Sequence, residues 1–177
     1  MLKKSVLFLA TLAFVGIAAP TQADAQTTLY LGAGGSFPTG DFGDFANTGW
    51  MGVGGAIFGV GDSGFGVGGE IFYGQNNTKD EFGTLFENSK TSPYGVMAIA
   101  DYAFGSPGGL QPYLFGGLGL MVHRFSGDNF ESESESQFGY QFGAGLGFNF
   151  GLFVEGRYMG SSDTQYFGAL AGWAFDL

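Results

Sequence analysis

Residues 137–150 alternate between two kinds of side chain without exception. The sequence QFGYQFGAGLGFNF has aromatic or aliphatic residues at every even position and glycine, glutamine or asparagine at every odd position. Because side chains alternate faces in a β-strand but not in a helix, this pattern predicts a strand. Neither face carries a charge, unlike the solvated face of a soluble sheet. An apolar face opposite a face of small residues is typical of a strand between lipid and a narrow barrel interior.

Seven other stretches show strand-like patterns. They cover residues 29–37, 50–60, 65–74, 94–104, 112–125, 152–160 and 165–177. In the stretch 50–60, glycines fall at both odd and even positions, so the sequence does not fix which side chains point inward. The inward glycines of residues 137–150 are expected to leave room for Glu155 and Arg157.

The connections between these strands alternate in length. Longer polar segments at 38–48, 75–92 and 126–136 alternate with short turns at 61–64, 105–109 and 151, and a medium connection covers 161–164. Outer-membrane barrels have an even number of strands, short periplasmic turns and longer extracellular loops. The sequence therefore predicts an all-β fold, an eight-stranded antiparallel up-and-down transmembrane β-barrel. The strand that begins at Gln137 would run from the extracellular side to the periplasm.

The N-terminal residues are predicted to be a secretory signal peptide. Lys3 and Lys4 precede an apolar run at residues 6–19, and Ala23-Asp24-Ala25 offers a cleavage site between small residues. The apolar run is shorter than the about 20 residues that a transmembrane helix needs. We expect a signal peptide at residues 1–25, cleavage near Ala25, and one barrel domain at residues 26–177 in the cell outer membrane.

Composition and charge narrow the function classes. The chain has 35 Gly, 21 Phe, 8 Tyr and no Cys, and each glycine inside a helix costs about 1 kcal/mol relative to alanine. Without cysteine there is no disulfide framework or thiolate metal site, and no cofactor is expected. Loss of Lys3, Lys4 and Asp24 with the signal reduces 16 acidic and 6 basic residues to 15 and 4. This acidity argues against nucleic-acid binding, which requires clustered cations.

Three motifs carry a family resemblance: Pro112-Tyr113 followed by Gly116, Gly117 and Gly119, the string VEGRYMG with Glu155, Arg157 and Tyr158, and the final GWAFDL. On these motifs the chain resembles the small eight-stranded outer-membrane β-barrel family that includes OmpX, the opacity proteins and the transmembrane domain of OmpA. The resemblance extends over residues 26–177. It implies a barrel surrounded by outer-membrane lipid and lipopolysaccharide, and we expect a monomer.

The resemblance also implies that the barrel-assembly machinery recognises the last strand. Trp173 and Phe175 supply alternate aromatic residues, and the chain ends at Leu177, where the family commonly has Phe.

Four charged residues fall on inward faces of predicted strands: Glu70, Asp101, Glu155 and Arg157. Side chains fill the interior of an eight-stranded barrel, and buried charges must be paired. We therefore predict a structural salt-bridge network around Arg157. The alternative, a proton or ion path, would require a water-filled channel.

Acidic residues alternate with serine in the predicted loop 126–136, at Asp128, Glu131, Glu133 and Glu135. The spacing lacks the glycine and glutamate positions of an EF-hand. A solvated acidic surface loop is the simpler interpretation, and divalent-cation bridging to lipopolysaccharide phosphates is the alternative.

The single histidine, His123, lies near Ser126 at the extracellular end of the fifth predicted strand. A histidine beside a serine suits nucleophilic catalysis, but a rim histidine that contacts head groups is the commoner arrangement.

The sequence favours a non-enzymatic integral outer-membrane protein with a structural or surface-interaction role, such as envelope integrity or adhesion. A small transporter or narrow pore is the alternative, although only larger barrels leave an aqueous channel. A surface lipid-modifying enzyme is a further alternative. A soluble, lipocalin-like barrel would have too few charges on its outer face.

Overall fold

The computed structural model describes residues 26–79, 89–105, 109–127 and 130–177, without the side chains of residues 130 and 131. The predicted signal peptide and the acidic residue Asp128 lie outside the described residues.

Eight antiparallel strands form a closed barrel in which β1 pairs with β2 and with β8. The strands are β1 (Thr27–Thr39), β2 (Gly49–Gly59), β3 (Phe65–Asn77), β4 (Lys90–Ala103), β5 (Gln111–Gly127), β6 (Phe130–Gly147), β7 (Leu152–Gly160) and β8 (Gln165–Asp176). A short helix, α1 (Gly40–Phe45), follows β1. The predicted fold class is confirmed. No helix in the described part of the chain is long and apolar enough to cross a membrane.

The pairing register determines how steeply the strands slope. A path of directly paired residues leaves β1 at Thr27 and returns to β1 at Phe37 after crossing Phe58, Val67, Ala100, Gly116, Phe142, Tyr158 and Phe167. The path returns ten residues further along β1. With ordinary strand spacings, this offset tilts the strands by about 40° from the barrel axis. Eight strands at that tilt enclose a space that side chains can fill.

The two ends of the barrel differ. At one end, which we name the turn end, lie Thr27, the C-terminus, the connections 60–64 and 148–151, and the strand ends Ala103 and Gln111. At the other, the loop end, lie α1, residues 161–164 and the strand ends Asn77, Lys90, Gly127 and Phe130.

Inward and outward side chains alternate as the sequence indicated. In β6, Phe138 and Phe142 are 63% and 57% exposed on the outer surface, whereas Gly139 and Gln141 are buried. The structure also fixes the orientation of β2, because Met51 is buried inside the barrel and its neighbour Trp50 is exposed outside.

The prediction of a loop at residues 126–136 is wrong. β5 continues to Gly127 and β6 begins at Phe130, so most of the acidic run is strand. β6 also ends at Gly147, and residues 148–151 form the turn to β7. The predicted loop 38–48 contains α1, where Phe42 is buried.

Interior aromatic rings lie over glycines on the neighbouring strand. The directly paired partners are Tyr30 and Gly55, Phe72 and Gly95, Tyr113 and Gly145, Phe115 and Gly143, and Phe153 and Gly172. A Cβ atom at Gly143 would lie 2.6 Å from the Phe115 ring. The glycines of β6 thus make room for aromatic rings of β5. Gly143 and Gly145 also pair directly with the predicted neighbours Arg157 and Glu155 of β7.

Four methionines from four strands fill the rest of the interior: Met51, Met97, Met121 and Met159, each at most 1% exposed. They belong to one apolar cluster with Phe42 and Tyr166. The Phe42 ring packs edge-on against Tyr166 with 5.1 Å between ring centroids. Helix α1 therefore closes the loop end with an aromatic side chain.

Candidate functional site

Arg157 organises a buried polar network in the barrel interior. Strand alternation directs Arg157 of β7 and Glu70 of β3 inward, where they are 1% and 2% exposed. The guanidinium donates from Nη1 to Glu70 Oε1 at 2.6 Å and from Nη2 to Glu70 Oε2 at 2.9 Å. Its Nε donates to Glu155 Oε1 at 2.7 Å. One cation thus bridges two carboxylates in a site closed to solvent.

Neutral side chains complete this network. Tyr30 donates to Glu70 at 2.8 Å, and Tyr113 donates to Glu155 at 3.0 Å. Gln141 accepts from Arg157 Nη1 at 3.0 Å and donates to Glu70 at 3.0 Å. The Arg157 guanidinium also lies 5.1 Å from the centre of the Phe115 ring. Tyr30, Tyr113 and Gln141 were not among the residues predicted for this network, although all three occupy inward positions.

Asp101, the fourth charged residue of the predicted network, stands apart from it. Its Oδ1 is buried and has no hydrogen-bond partner among the described residues. The structure therefore brings together three of the four predicted charged residues. The resulting network contains two carboxylates, Glu70 and Glu155, and one cation, Arg157.

A second polar cluster surrounds His123 at the loop end. His123 Nε2 lies 2.9 Å from Ser161 Oγ and 2.7 Å from Thr164 Oγ1. Tyr166 Oη lies 3.2 Å from Nδ1, and the two ring planes are nearly parallel, at 14°, with 6.3 Å between their centroids. In the described contacts the histidine meets Ser161, and not the Ser126 that the sequence suggested. Ser161 is 4% exposed, so this pair faces the closed interior.

The β5–β6 hairpin projects beyond the rest of the barrel. β5 pairs with β6 as far as Gly127 and Phe130, whereas the pairing of β6 with β7 begins only at Tyr140 and Gly160. Residues 130–139 of β6 therefore have no strand partner on the β7 side in the described structure. Their outer edge presents backbone N–H and C=O groups that another strand could pair with.

The predicted acidic residues Glu133 and Glu135 lie on this projecting part of β6. Both are exposed, as are the alternating serines Ser132, Ser134 and Ser136. Since Glu135 pairs with the inward residue His123, the glutamates lie on the face that continues the barrel interior. Glu131 lies in the same strand, and its side chain is not described. The described residues contain no group of three or more His, Asp or Glu placed to hold a metal ion.

The predicted assembly residues lie on the outer surface at the turn end. Trp173 and Phe175 of β8 are 43% and 50% exposed, and Leu177 is 78% exposed. Trp173 contacts Phe150 with 5.9 Å between ring centroids. Their role as an assembly signal stays a prediction.

The chain is similar to known outer-membrane proteins in sequence and in fold. The family model described as "Outer membrane protein beta-barrel domain" matches residues 8–175. No curated protein sequence matches the chain.

Several solved structures share the fold. Ail of Yersinia pestis, crystallised with the heparin analogue sucrose octasulfate, is 18% identical, with a TM-score of 0.56 over 86% of this chain and 99% of that one. Neisserial surface protein A is 13% identical, with a TM-score of 0.62 over 87% and 98%. The outer membrane enzyme PagL is 16% identical, with a TM-score of 0.51 over 85% and 99%. At these identities the similarity shows the fold alone, and one of the proteins with this fold, PagL, is an enzyme.

Proposed function

Since the chain belongs to the outer membrane protein β-barrel domain family, we propose that it is a non-enzymatic outer-membrane protein that displays the β5–β6 hairpin to molecules outside the cell. The loop end would face the exterior and the turn end the periplasm, as short turns and longer loops are arranged in such barrels.

The unpaired edge of β6 carries this proposal. Ten consecutive residues, 130–139, extend past the end of β7. An exposed strand edge can accept an added strand through backbone hydrogen bonds, while alternate side chains select the partner. Here the exposed Glu133 and Glu135 would favour an extended segment with cationic side chains at alternate positions.

The filled interior argues against a pore. Arg157, Glu70 and the four methionines are each at most 2% exposed, and Phe42 covers the loop end. Steady conduction requires an open aqueous path, which eight-stranded barrels lack unless their interior side chains move.

The arrangement around His123 argues against a lipid-modifying enzyme that uses this residue. A nucleophilic serine needs a base on one side and open access to substrate on the other. Ser161 is buried. The second ring nitrogen of His123, Nδ1, lies within hydrogen-bond distance of the Tyr166 and Thr164 hydroxyls, in the place where a catalytic triad has a carboxylate.

A shortened hairpin tests the proposal. Residues 125–133 would be replaced by Asn-Gly, which forms a two-residue hairpin turn between the paired residues Arg124 and Ser134. The probe is a ten-residue peptide of alternating Lys and Thr, and its binding to the purified barrel in detergent is followed by fluorescence anisotropy. We expect the full chain to bind the peptide, and the shortened chain, which keeps residues 134–139 of the edge, to bind it more weakly.

A second peptide separates strand pairing from charge attraction. It has the same lysines but proline in place of threonine, so that it lacks the backbone donors that strand pairing uses. Equal binding of the two peptides, or equal binding by the full and shortened chains, would contradict the proposal. Heat-modifiable migration on gels verifies that the shortened chain folds.

A further inference from the structure

The basic residues of the barrel have an uneven distribution. After the predicted signal, the sequence contains only Lys79, Lys90, Arg124 and Arg157. Arg157 is buried inside the barrel. Lys90 and Arg124 lie on neighbouring strands at the loop end and are exposed.

Lys90 and Arg124 share the outer face of the β4–β5 pair. Arg124 pairs with Ser92 and Lys90 with Ser126, so the two cations are diagonal neighbours, within reach of each other through long side chains. Outward residue Tyr94, two positions beyond Ser92, pairs with Val122. The two cations therefore lie directly beyond the apolar belt of the barrel.

The pairing of β6 with β5 determines which side chains of the acidic run share the outer face with Lys90 and Arg124. Ser134 pairs with Arg124 and Ser136 with Val122, so the serines lie on the same side as the cations. Ser132 Oγ lies 3.5 Å from Arg124 Nη2. Glu133 pairs with Phe125 and Glu135 with His123, on the opposite side. The alternating sequence thus keeps acidic groups off the face that carries the cations.

The two cations have no acidic partner within the described residues. The described salt bridges join Arg157 to Glu70 and Glu155. Two like charges held side by side with hydroxyl groups around them form a site for an anion. Because the site adjoins the apolar belt on the outside of the barrel, the anion nearest to it is a lipid headgroup.

We propose that Lys90 and Arg124, with the serines on the same face of β6, bind the phosphate of an outer-leaflet glycolipid of the lipid A type. Arg124 would contact the phosphate through its planar guanidinium and Lys90 as a point charge. Ser134 and Ser136 would donate to phosphate or sugar oxygens. This inference rests on the proposed orientation, with the loop end outside the cell.

Binding of lipid A to the refolded chain in detergent, measured by native mass spectrometry, tests this site. The variants are Lys90→Gln and Arg124→Gln, and the matched control is Lys79→Gln, which removes the same charge from the β3–β4 connection. We expect each of the first two variants to weaken binding of bisphosphorylated lipid A about tenfold, since each removes charge-assisted contacts to phosphate. The Lys79→Gln control should bind lipid A with an affinity within about twofold of that of the unmodified chain, because it retains both Lys90 and Arg124.

Dephosphorylated lipid A supplies the second arm. We expect it to bind the unmodified chain and all three variants equally weakly. Three results would each overturn the proposal. The first is that Lys79→Gln weakens lipid A binding as much as the two test variants do, and the second is that the unmodified chain binds both forms of lipid A with equal affinity. The third is that the chain binds a soluble polysulfated sugar but does not bind lipid A. The peptide assay for the hairpin contains no lipid A, so the two proposals can fail separately.

Discussion

At the scale of single residues, burial determines what each charge does. Arg157 forms ion pairs with Glu70 and Glu155 inside the barrel, whereas Arg124 has a similar guanidinium in an exposed position. Removing one partner of a buried ion pair leaves uncompensated charge behind, and this costs far more than losing an exposed charge.

We predict that Arg157→Met destabilises the barrel by about 3–5 kcal/mol, because two buried carboxylates would lose their cation. Urea titration of the barrel refolded in lipid vesicles measures the free energy of unfolding. The matched variant Arg124→Met should change it by less than about 0.5 kcal/mol, as is usual for a surface position. Equal effects of the two substitutions would show that the network does not stabilise the barrel.

The residues of the network differ in how readily the sequence identifies them as network members. Glu70, Glu155 and Arg157 stand out because charges at inward positions of a membrane strand are unusual. Tyr30, Tyr113 and Gln141 do not, since tyrosine and glutamine suit either face of a barrel strand. Their part in the network depends on which strands face each other across the interior, and alternation along one strand carries no information on that.

At the scale of strands, glycine and aromatic residues form complementary pairs. Phe115 of β5 occupies the space over Gly143 of β6, and Tyr113 occupies the space over Gly145. An aromatic ring that covers a glycine on the neighbouring strand also shields backbone and helps to fix the register.

We predict that Gly143→Ala destabilises the barrel by about 1–3 kcal/mol, because the new methyl group would collide with the Phe115 ring and with backbone of β7. Gly147→Ala is the control in the same strand and on the same face, and its nearest atom would be 3.7 Å away. We expect it to be neutral or slightly stabilising. Unfolding midpoints in urea measure both, and a smaller loss for Gly143→Ala than for Gly147→Ala would refute the pairing argument.

Period-two alternation predicted the strands well, but not everywhere. It failed to orient β2, since Gly52 and Gly54 on one face and Gly55 on the other give no contrast. At residues 126–136 the acidic side chains predict a loop, and that prediction is wrong. Serine and glutamate alternate there with the same period as the apolar strands, and the pairing with β5 stabilises them as a strand.

At the scale of the whole molecule, closure distinguishes one pair of strands from all the others. Each other pair joins consecutive strands, whereas β1 pairs with β8 over residues as distant as Thr28 and Asp176. Thr28 also donates to Asp176 at 2.6 Å. Closing this pair requires both ends of the domain, so we expect it to form after the consecutive hairpins.

The filled interior also has a chemical consequence. Met51, Met97, Met121 and Met159 are the methionines that follow residue 25, and all four are buried. A thioether enclosed by packed side chains reacts slowly with peroxide, whereas a solvated one is oxidised to the sulfoxide.

We predict that the folded barrel gains almost no oxygen in dilute hydrogen peroxide and that the urea-unfolded chain gains one oxygen at each of these residues. Intact-mass spectrometry after a timed exposure counts the oxygen atoms, and peptide mapping assigns them. Rapid oxidation of Met121 in the folded barrel would mean that solvent reaches the interior. Because a sulfoxide is bulky and polar, a chain oxidised before it folds could not rebuild this interior, so oxidants would harm the unfolded chain far more than the finished barrel.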